Sequence, residues 1–265
     1  MEIQKVTAAY FSPTGGTKAY AEGLASAWGP DFGKINLTVP AERAKKRNFG
    51  PDELVILGAP VYAGRLPSVE GGLFRALRGQ ETPAVCLVSY GNRAYDDALL
   101  ELMDLCTAQG FRCIAASAWI APHTFSGKIG AGRPDASDRE KLEIFAGEVQ
   151  ALLRKGIPEG AVPPVPGHRP YCPEKKMPFH PEADSRCIRC GRCVSACPVG
   201  AIDPASPDQT DAARCIDCLA CVHACPVHAR SIYHPSLADI GAGCEAAFLT
   251  PRREPEWFLA GQGEK

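Results

Sequence analysis

A four-cysteine pattern occurs twice towards the C-terminal end of the sequence, and it constrains the fold more than any other feature. Each copy has three cysteines separated by two residues, then a fourth cysteine after three more residues, followed at once by proline. The first copy, CIRCGRCVSACPVGAI, starts at Cys187, and the second, CIDCLACVHACPVHARSI, starts 28 residues later at Cys215. Because the copies also agree outside the cysteines, the segment is an internal duplication, which predicts two pseudo-symmetric halves.

This spacing is typical of a pair of [4Fe–4S] clusters in which the fourth cysteine of each copy ligates the cluster of the other copy. Three thiolates on a tight loop reach three iron corners, and the proline turns the chain so that the fourth thiolate comes from the opposite side. We therefore expect two crossed ligand sets. The first set is Cys187, Cys190, Cys193 and Cys225, and the second set is Cys197, Cys215, Cys218 and Cys221.

Two other uses of cysteine fit the pattern less well. Disulfide scaffolds are typical of short secreted chains, whereas this chain has 265 residues and starts with MEIQKVTAAYF, a strand pattern without a signal-peptide layout. Zinc ribbons use two separated cysteine pairs for each metal. Eight of the 13 cysteines lie in the repeats, and the odd remainder of five favours a reducing compartment, so we expect a cytoplasmic protein.

The charge pattern argues against two classes of partner. The sequence is 45% hydrophobic and 22% charged, as in soluble globular proteins, and its formal net charge is −1. The basic run Lys45-Lys46-Arg47 is short and typical of a solvated loop. No apolar stretch reaches the length of a membrane-spanning helix. We therefore expect neither nucleic acid nor a membrane as a partner.

Residues 1–155 alternate between strand and helix patterns. The apolar runs are typical of strands buried on both faces of a parallel sheet. Strands are expected at 3–11, 53–59, 84–90 and 111–121, with a weaker one at 33–39, and helices at about 16–28, 67–78, 93–109 and 135–155. This succession predicts an α/β domain with a doubly wound parallel sheet.

The remaining sequence divides into three segments. Residues 156–181 are rich in proline, which predicts a semi-extended linker or strap. Residues 182–234 carry both cysteine repeats and form the small cluster-binding domain, of α+β ferredoxin-like type. Residues 235–265 have no clear period and are predicted to be a C-terminal tail whose aromatic residues, Trp257 and Phe258, pack back onto one of the domains.

The first predicted strand ends in YFSPTGGTK, where a helix begins. Glycines and hydroxyls at the start of a helix form an anion site, because backbone N–H groups point at the ligand and the helix dipole favours negative charge. The loop has neither the Walker spacing nor GxGxxG, and it suits the terminal phosphate of a mononucleotide; a simple N-cap is the alternative. The candidate phosphate-binding residues are Ser12, Thr14, Gly15, Gly16 and Thr17.

Two further loops follow predicted strands, at the sheet edge where open α/β folds bind ligands. Their sequences are APVYAGRLP, from residue 59, and SYGNRAYDD, from residue 89. Both place aromatic residues beside glycines, which let the backbone approach a flat ring. The candidate binding residues are Pro60, Tyr62, Ala63 and Gly64 in one loop, and Tyr90, Gly91, Asn92, Arg93 and Tyr95 in the other.

With these loops, residues 1–155 resemble a flavodoxin. Residues 3–234 resemble the ferrodoxin family, in which a flavodoxin-like domain is fused to a 2[4Fe–4S] ferredoxin domain; HTFS at 123–126 and GRPD at 132–135 also carry the resemblance. It implies FMN as a cofactor, with its phosphate on the first loop and its isoalloxazine on the other two, where a tyrosine stacks on the ring or packs in the half-buried interior. It also implies that Gly64 provides a flexible peptide near N5. Gly16 departs from the asparagine of many flavodoxins.

Three residues near the expected flavin have open roles. Arg65 and Arg93 could lie at the pyrimidine edge of FMN or pair with surface carboxylates. His123 could donate a proton to the flavin or serve as a structural histidine.

The sequence predicts an electron-transfer protein that passes electrons between two [4Fe–4S] clusters and FMN, with a redox protein or a small-molecule acceptor as its partner. Fusion in one chain would hold the two parts at high effective concentration. One alternative is a flavin-free ferredoxin subunit docked to a larger redox complex. Another is a flavin-dependent quinone or nitro-compound reductase. The donor, the direction of electron flow and the oligomeric state are left open.

Overall fold

The alternating pattern of the first 155 residues folds into a mixed α/β layer structure. The computed structural model describes residues 2–234 and 237–262. The strands are β1 (Lys5–Tyr10), β2 (Gly33–Asn36), β3 (Arg47–Phe49), β4 (Glu53–Pro60), β5 (Leu77–Gly79), β6 (Thr82–Tyr90), β7 (Phe111–Ile120), β8 (Glu182–Ala183), β9 (Arg230–Ser231) and β10 (Glu256–Leu259). The α-helices are α1 (Gly16–Ala25), α2 (Pro40–Arg43), α3 (Ala98–Ala108), α4 (Ala136–Lys155), α5 (Arg192–Ala196), α6 (Ala220–His223) and α7 (Leu237–Phe248).

The main sheet has the order β10-β7-β6-β4-β1-β2. Its strands β2, β1, β4, β6 and β7 are parallel, and β10 adds to the edge in the antiparallel direction. Counted along the chain, the five parallel strands have the order 2-1-3-4-5, which defines the flavodoxin-like doubly wound sheet. The predicted fold class is therefore confirmed.

The central strands are buried on both faces, as their continuous apolar runs predict. On one face, α1 and α4 pack Tyr20 and Phe145 against Trp119 of β7. On the other face, α3 packs Leu99 and Leu102 against the sheet. The two cores fix the carboxyl ends of the strands, where the candidate loops begin.

Two predicted features differ from the structure. The stretch 67–78 is not a helix but a series of turns that leads into β5. Gly71 and Gly72 have φ values of 78° and 75°, a left-handed conformation that glycine adopts at little cost and that ends a helix. The predicted tail contains α7 and β10, so the main sheet includes a strand from the far end of the sequence. Trp257 of β10 stacks on Trp119 with a centroid distance of 6.2 Å, so the tail does pack back.

The cluster-binding domain is small, and its helices begin within the cysteine repeats. Strands β8 and β9 pair in the antiparallel direction, while α5 and α6 each follow a residue in the left-handed conformation. The proline-rich segment that precedes it has neither helix nor strand. None of the helices formed by residues 2–234 and 237–262 combines the length and apolar character needed to cross a bilayer.

Candidate functional site

The first set of cysteines surrounds one small cavity in the cluster-binding domain. Cys187, Cys190 and Cys193 reach it from the loop of the first repeat, and Cys225 reaches it from the second repeat. This is the crossed arrangement that the spacing predicts, because the fourth thiol comes from the other half of the duplication.

The second set lies deeper. Cys218 and Cys221 are buried, and burial raises the pKa of the Cys218 thiol to about 12, with further contributions from Cys221, Cys197 and Cys215. Cys197, from the first repeat, thus lies among the three cysteines of the second. Cys197 of the first repeat is therefore near the cysteines of the second repeat, as the crossed ligation requires.

Backbone N–H groups face several of these sulfur atoms. The N–H of Ala201 donates to Sγ of Cys197 at 3.2 Å, and that of Asp217 donates to Sγ of Cys215 at 3.5 Å. Burial opposes ionisation of Cys225, but the N–H groups of residues 227–230 lower its pKa overall. Donors of this kind stabilise thiolates and are one of the means by which a protein tunes an iron–sulfur cluster.

The donor sets fit clusters better than single ions. Each set supplies four thiolates, the soft ligands that iron–sulfur clusters take.

The predicted phosphate loop connects β1 to α1. Gly15 has a φ of 92° and precedes the first residue of α1, so the free N–H groups of the helix start open towards the loop. The hydroxyl of Ser12 accepts a hydrogen bond from the N–H of Lys18 at 3.0 Å, which closes the loop. A Cβ on Gly16 would lie 2.8 Å from Cβ of Ala121. The absence of a side chain at Gly16 therefore allows β7 to approach the loop.

Thr17 differs from its predicted role. Its side chain is buried, and its hydroxyl pairs with that of Ser89 at 2.8 Å. The buried pair holds α1 against β6, so the Thr17 hydroxyl points into the interior, and its contact with a phosphate stays a prediction. Thr14, in contrast, is exposed at the tip of the loop.

A cavity of about 680 Å³ opens beside the phosphate loop, between the two domains. We call it the interdomain cavity. The flavodoxin-like domain contributes the tip of the phosphate loop, the segment after β7, and Arg133. The cluster-binding domain contributes Leu219, Val222 and His223 from the turn that carries Cys218 and Cys221, together with Ile232.

Two polar side chains of this cavity have defined states. The Nδ1 atom of His123 accepts a hydrogen bond from the N–H of Phe125 at 3.1 Å, and burial lowers the pKa of the imidazole. Because Nδ1 accepts this hydrogen bond, the neutral imidazole carries its hydrogen on Nε2. The guanidinium of Arg133 pairs with the buried carboxylate of Asp138, and this pairing raises its pKa although burial acts in the opposite direction.

The sequence does not identify several residues of the interdomain cavity as binding residues. Phe125 and Arg133 lie in the HTFS and GRPD segments that carry the family resemblance, so that signal was present. Leu219 and Val222 occupy the gaps between cluster cysteines. Spacing alone does not indicate that these gaps face another domain.

The aromatic residues of the 89–97 loop do not line the interdomain cavity. Tyr90 and Tyr95 are buried and pack edge to face at 5.5 Å, and the hydroxyl of Tyr95 donates to Glu256 at 2.7 Å. The amide of Asn92 donates to the carbonyl of Phe248 at 2.6 Å. The C-terminal segment covers this loop, so in this structure these three side chains make their contacts within the protein, and a contact with the ring stays a prediction.

Other residues of the two predicted ring loops also lie elsewhere. Gly91 packs against the ring of His123, and a Cβ at this position would lie 2.4 Å from Cδ2 of that ring. The absence of a side chain at Gly91 therefore leaves room for His123 in the wall of the interdomain cavity. Arg93 pairs with Asp96 on the surface, which identifies it as a surface ion-pair partner.

The loop after β4 forms a tight turn against the cluster-binding domain. Pro60 ends β4, and the turn is closed by paired backbone hydrogen bonds between Tyr62 and Arg65. Ala63 and Gly64 occupy its tip with φ values of 51° and 88°.

Tyr62 faces the second set of cysteines. Burial and the nearby Cys218, Asp217 and Cys215 raise the pKa of its hydroxyl. Arg65 makes a two-pronged ion pair with Glu101 and donates to the carbonyl of Cys172 at 2.6 Å. These residues therefore belong to the domain contact and not to the interdomain cavity.

Residues 170–230 match the family model of the 4Fe-4S dicluster domain. No curated protein matches the sequence. Among solved structures, a flavodoxin from the domain Archaea is similar at 13% identity, covering 57% of this chain and 99% of its own, with a TM-score of 0.39. A flavodoxin from Streptococcus pneumoniae TIGR4 has 19% identity, 55% and 97% coverage, and a TM-score of 0.38. At such scores the fold assignment rests on the strand order.

The molecule thus combines a flavodoxin-like α/β domain with a 4Fe–4S dicluster domain in one chain. This is the two-part organisation expected from the cysteine repeats and the alternating pattern, and it is confirmed.

Proposed function

We propose that this protein transfers electrons between its two iron–sulfur clusters and an FMN bound in the interdomain cavity. One observation carries the proposal: the wall of that cavity is shared by the phosphate loop and by the turn that holds the second set of cysteines. Leu219 and Val222 alternate with Cys218 and Cys221 in sequence. A ligand anchored on the phosphate loop would therefore lie against the residues that hold a cluster.

The character of the cavity supports FMN as that ligand. In sheets with this strand order, FMN binds where the strand order reverses, next to the first strand. The start of α1 provides N–H groups for a phosphate, and Thr14 lies beside them. A volume of about 680 Å³ is within the range of pockets that enclose small ligands. His123 and Phe125 add a polar and an apolar surface for a flat ring.

The two cysteine sets differ in exposure, which suggests an order of electron transfer. The second set adjoins the interdomain cavity and has two buried cysteines, whereas Cys190 of the first set is exposed. Its neighbour Ile188 is 62% exposed. An external redox protein would thus exchange electrons with the first set, and the second set would connect it to the flavin. Clusters exchange single electrons, while a flavin stores two.

Anaerobic purification followed by cofactor analysis tests the proposal. We expect about eight iron and eight sulfide per chain, because each [4Fe–4S] cluster takes four of each. We also expect one FMN, bound more tightly than riboflavin because the phosphate loop then contributes. A protein with full iron content that binds no flavin would instead support a flavin-free ferredoxin subunit.

A pair of tryptophan substitutions tests the position of the flavin. Val222→Trp places a large ring in the interdomain cavity and should weaken FMN binding by at least about tenfold, since about 1.4 kcal/mol of lost contact suffices. Ile188→Trp adds the same ring on the exposed surface near the first set and should leave FMN affinity unchanged. Equal affinities in the two variants, at equal iron content, would place the flavin outside this cavity.

A further inference from the structure

Arg230 is a nearly inaccessible arginine at the start of β9. Its residue exposure is 2%. The guanidinium donates to the backbone carbonyls of Pro207 at 2.6 Å and of Pro181 and Gln209 at 3.1 Å, and it also contacts the hydroxyl of Thr210. These contacts fix the position of the charge but do not neutralise it, because none of the acceptors is anionic.

The position of Arg230 relates it to both cysteine sets. It lines the cavity formed by the first set, and its guanidinium also contacts the thiol of Cys221 of the second set. Its Nε atom has no hydrogen-bond partner within the described residues. No carboxylate pairs with it in the part of the chain that the structure describes.

A buried cation without an anionic partner is strongly unfavourable. A [4Fe–4S] cluster with four thiolates carries net negative charge, so two such clusters beside the guanidinium would supply the missing countercharge. Hydrogen bonds to sulfur and nearby charge are among the factors that set cluster potentials. Arginine suits this position better than lysine, because its planar guanidinium can donate to several fixed carbonyls and still direct its Nε–H group at a cluster.

We propose that Arg230 is the internal counter-ion of the two clusters and raises their reduction potentials by stabilising the reduced, more negative forms. The inference rests on the clusters of the proposed function. Arg230 is a positioning residue for charge, and its effect is expected in cluster potentials and not only in activity.

Arg230→Met removes the charge and keeps much of the volume. Arg192→Met is the matched control, since Arg192 lines the same cavity but is exposed and its charge is screened by water. In anaerobic redox titrations followed by electron paramagnetic resonance, Arg230→Met should lower the ratio of reduced to oxidised cluster at least tenfold at a fixed ambient potential. That change equals 59 mV for a one-electron couple.

The control should change this ratio by less than about threefold, because an exposed charge is screened. Equal shifts in the two variants, or no shift in Arg230→Met, would overturn the proposal. If Arg230→Met does not assemble clusters, Arg230→Lys decides the matter: assembly with the lysine supports the requirement for charge, and failure with it shows that shape is what matters. Absence of iron–sulfur clusters from the unmodified protein would instead refute the proposed function, so the two failures are distinguishable.

Discussion

At the scale of single residues, two threonines of one loop have opposite environments. Thr14 is exposed and lines the interdomain cavity, so Thr14→Val removes a donor to a charged phosphate, which is worth roughly 1.5–3 kcal/mol. FMN affinity measured by fluorescence titration should therefore fall at least about tenfold. Riboflavin, which has no phosphate, should bind this variant and the unmodified protein equally. A similar loss for riboflavin would show that Thr14 contacts another part of the ligand.

Thr17→Val should have a different effect, because the hydroxyl of Thr17 is paired with Ser89 in the interior. The substitution keeps the shape but leaves the Ser89 hydroxyl buried without its partner, which costs about 1–3 kcal/mol. We expect a lower free energy of unfolding and nearly unchanged FMN affinity. If Thr17→Val weakens FMN binding as much as Thr14→Val, the Thr17 hydroxyl turns towards the phosphate when FMN binds.

His123 provides a pH-dependent contribution to stability. Because burial lowers its pKa below the ordinary value of 6.5, the unfolded state binds more protons than the folded state between the two pKa values. Stability is thus fully present above the unfolded value and decreases as the pH falls through 6.5. Anaerobic denaturant unfolding at several pH values should show a smaller decrease for His123→Gln than for the unmodified protein. Parallel curves would show that His123 titrates normally.

At the scale of elements, the proline-rich segment is a docked strap and not a free linker. Three acidic residues at the start of α3 and along it hold this segment. Asp97 accepts hydrogen bonds from the N–H groups of His168 and Cys172 at 2.8 and 2.6 Å. Glu101 pairs with Arg65, which donates to the carbonyl of Cys172, and Asp104 pairs with Arg169. Positions 97, 101 and 104 are spaced by four and three residues, so they share one side of the helix.

Asp97→Ala should release this strap. Burial opposes ionisation of Asp97, but the hydrogen bonds from Cys172 and His168 lower its pKa overall, so the carboxylate is the bonded form. Hydrogen exchange of residues 168–172 should accelerate in the variant, by about tenfold or more for a loss of roughly 1.5 kcal/mol. Asp96→Ala is the matched control, since Asp96 pairs with Arg93 on the surface. Equal exchange in both variants would mean that other contacts hold the strap.

The elements that the sequence predicts well are those with long, continuous patterns. The four apolar runs of the sheet and the cysteine repeats can each be recognised within one short stretch of sequence. The apolar residues of 67–78 favour a helix, but the backbone conformation of Gly71 and Gly72 prevents one. Strand β10 has only four residues, too few for a period. The burial of Tyr90 and Tyr95 depends on this distant segment, so local sequence could not reveal it.

At the scale of the whole molecule, the cluster-binding domain is an insertion within the flavodoxin-like domain. The chain leaves the main sheet after α4 and returns to it through β10, which pairs with β7 over four residues. Two segments therefore connect the domains, and further contacts, such as the donation from Arg43 to the carbonyl of Pro198 at 2.9 Å, lie between them. These connections and contacts consequently fix the two domains that form the walls of the interdomain cavity.

This topology predicts the result of cutting the chain between Gly160 and Ala161. The C-terminal fragment keeps the strap and β10, whose Trp257 stacks on Trp119 and donates to Glu148 at 2.8 Å. The fragments should therefore coelute in gel filtration, and reduction of the flavin by the clusters should stay independent of protein concentration, because the partners remain associated. The same cut with Trp257→Ala removes a large, partly buried contact, at a cost of up to about 3 kcal/mol, and should make the rate depend on concentration. Separation of the fragments without that substitution would show that β10 does not hold the domains together.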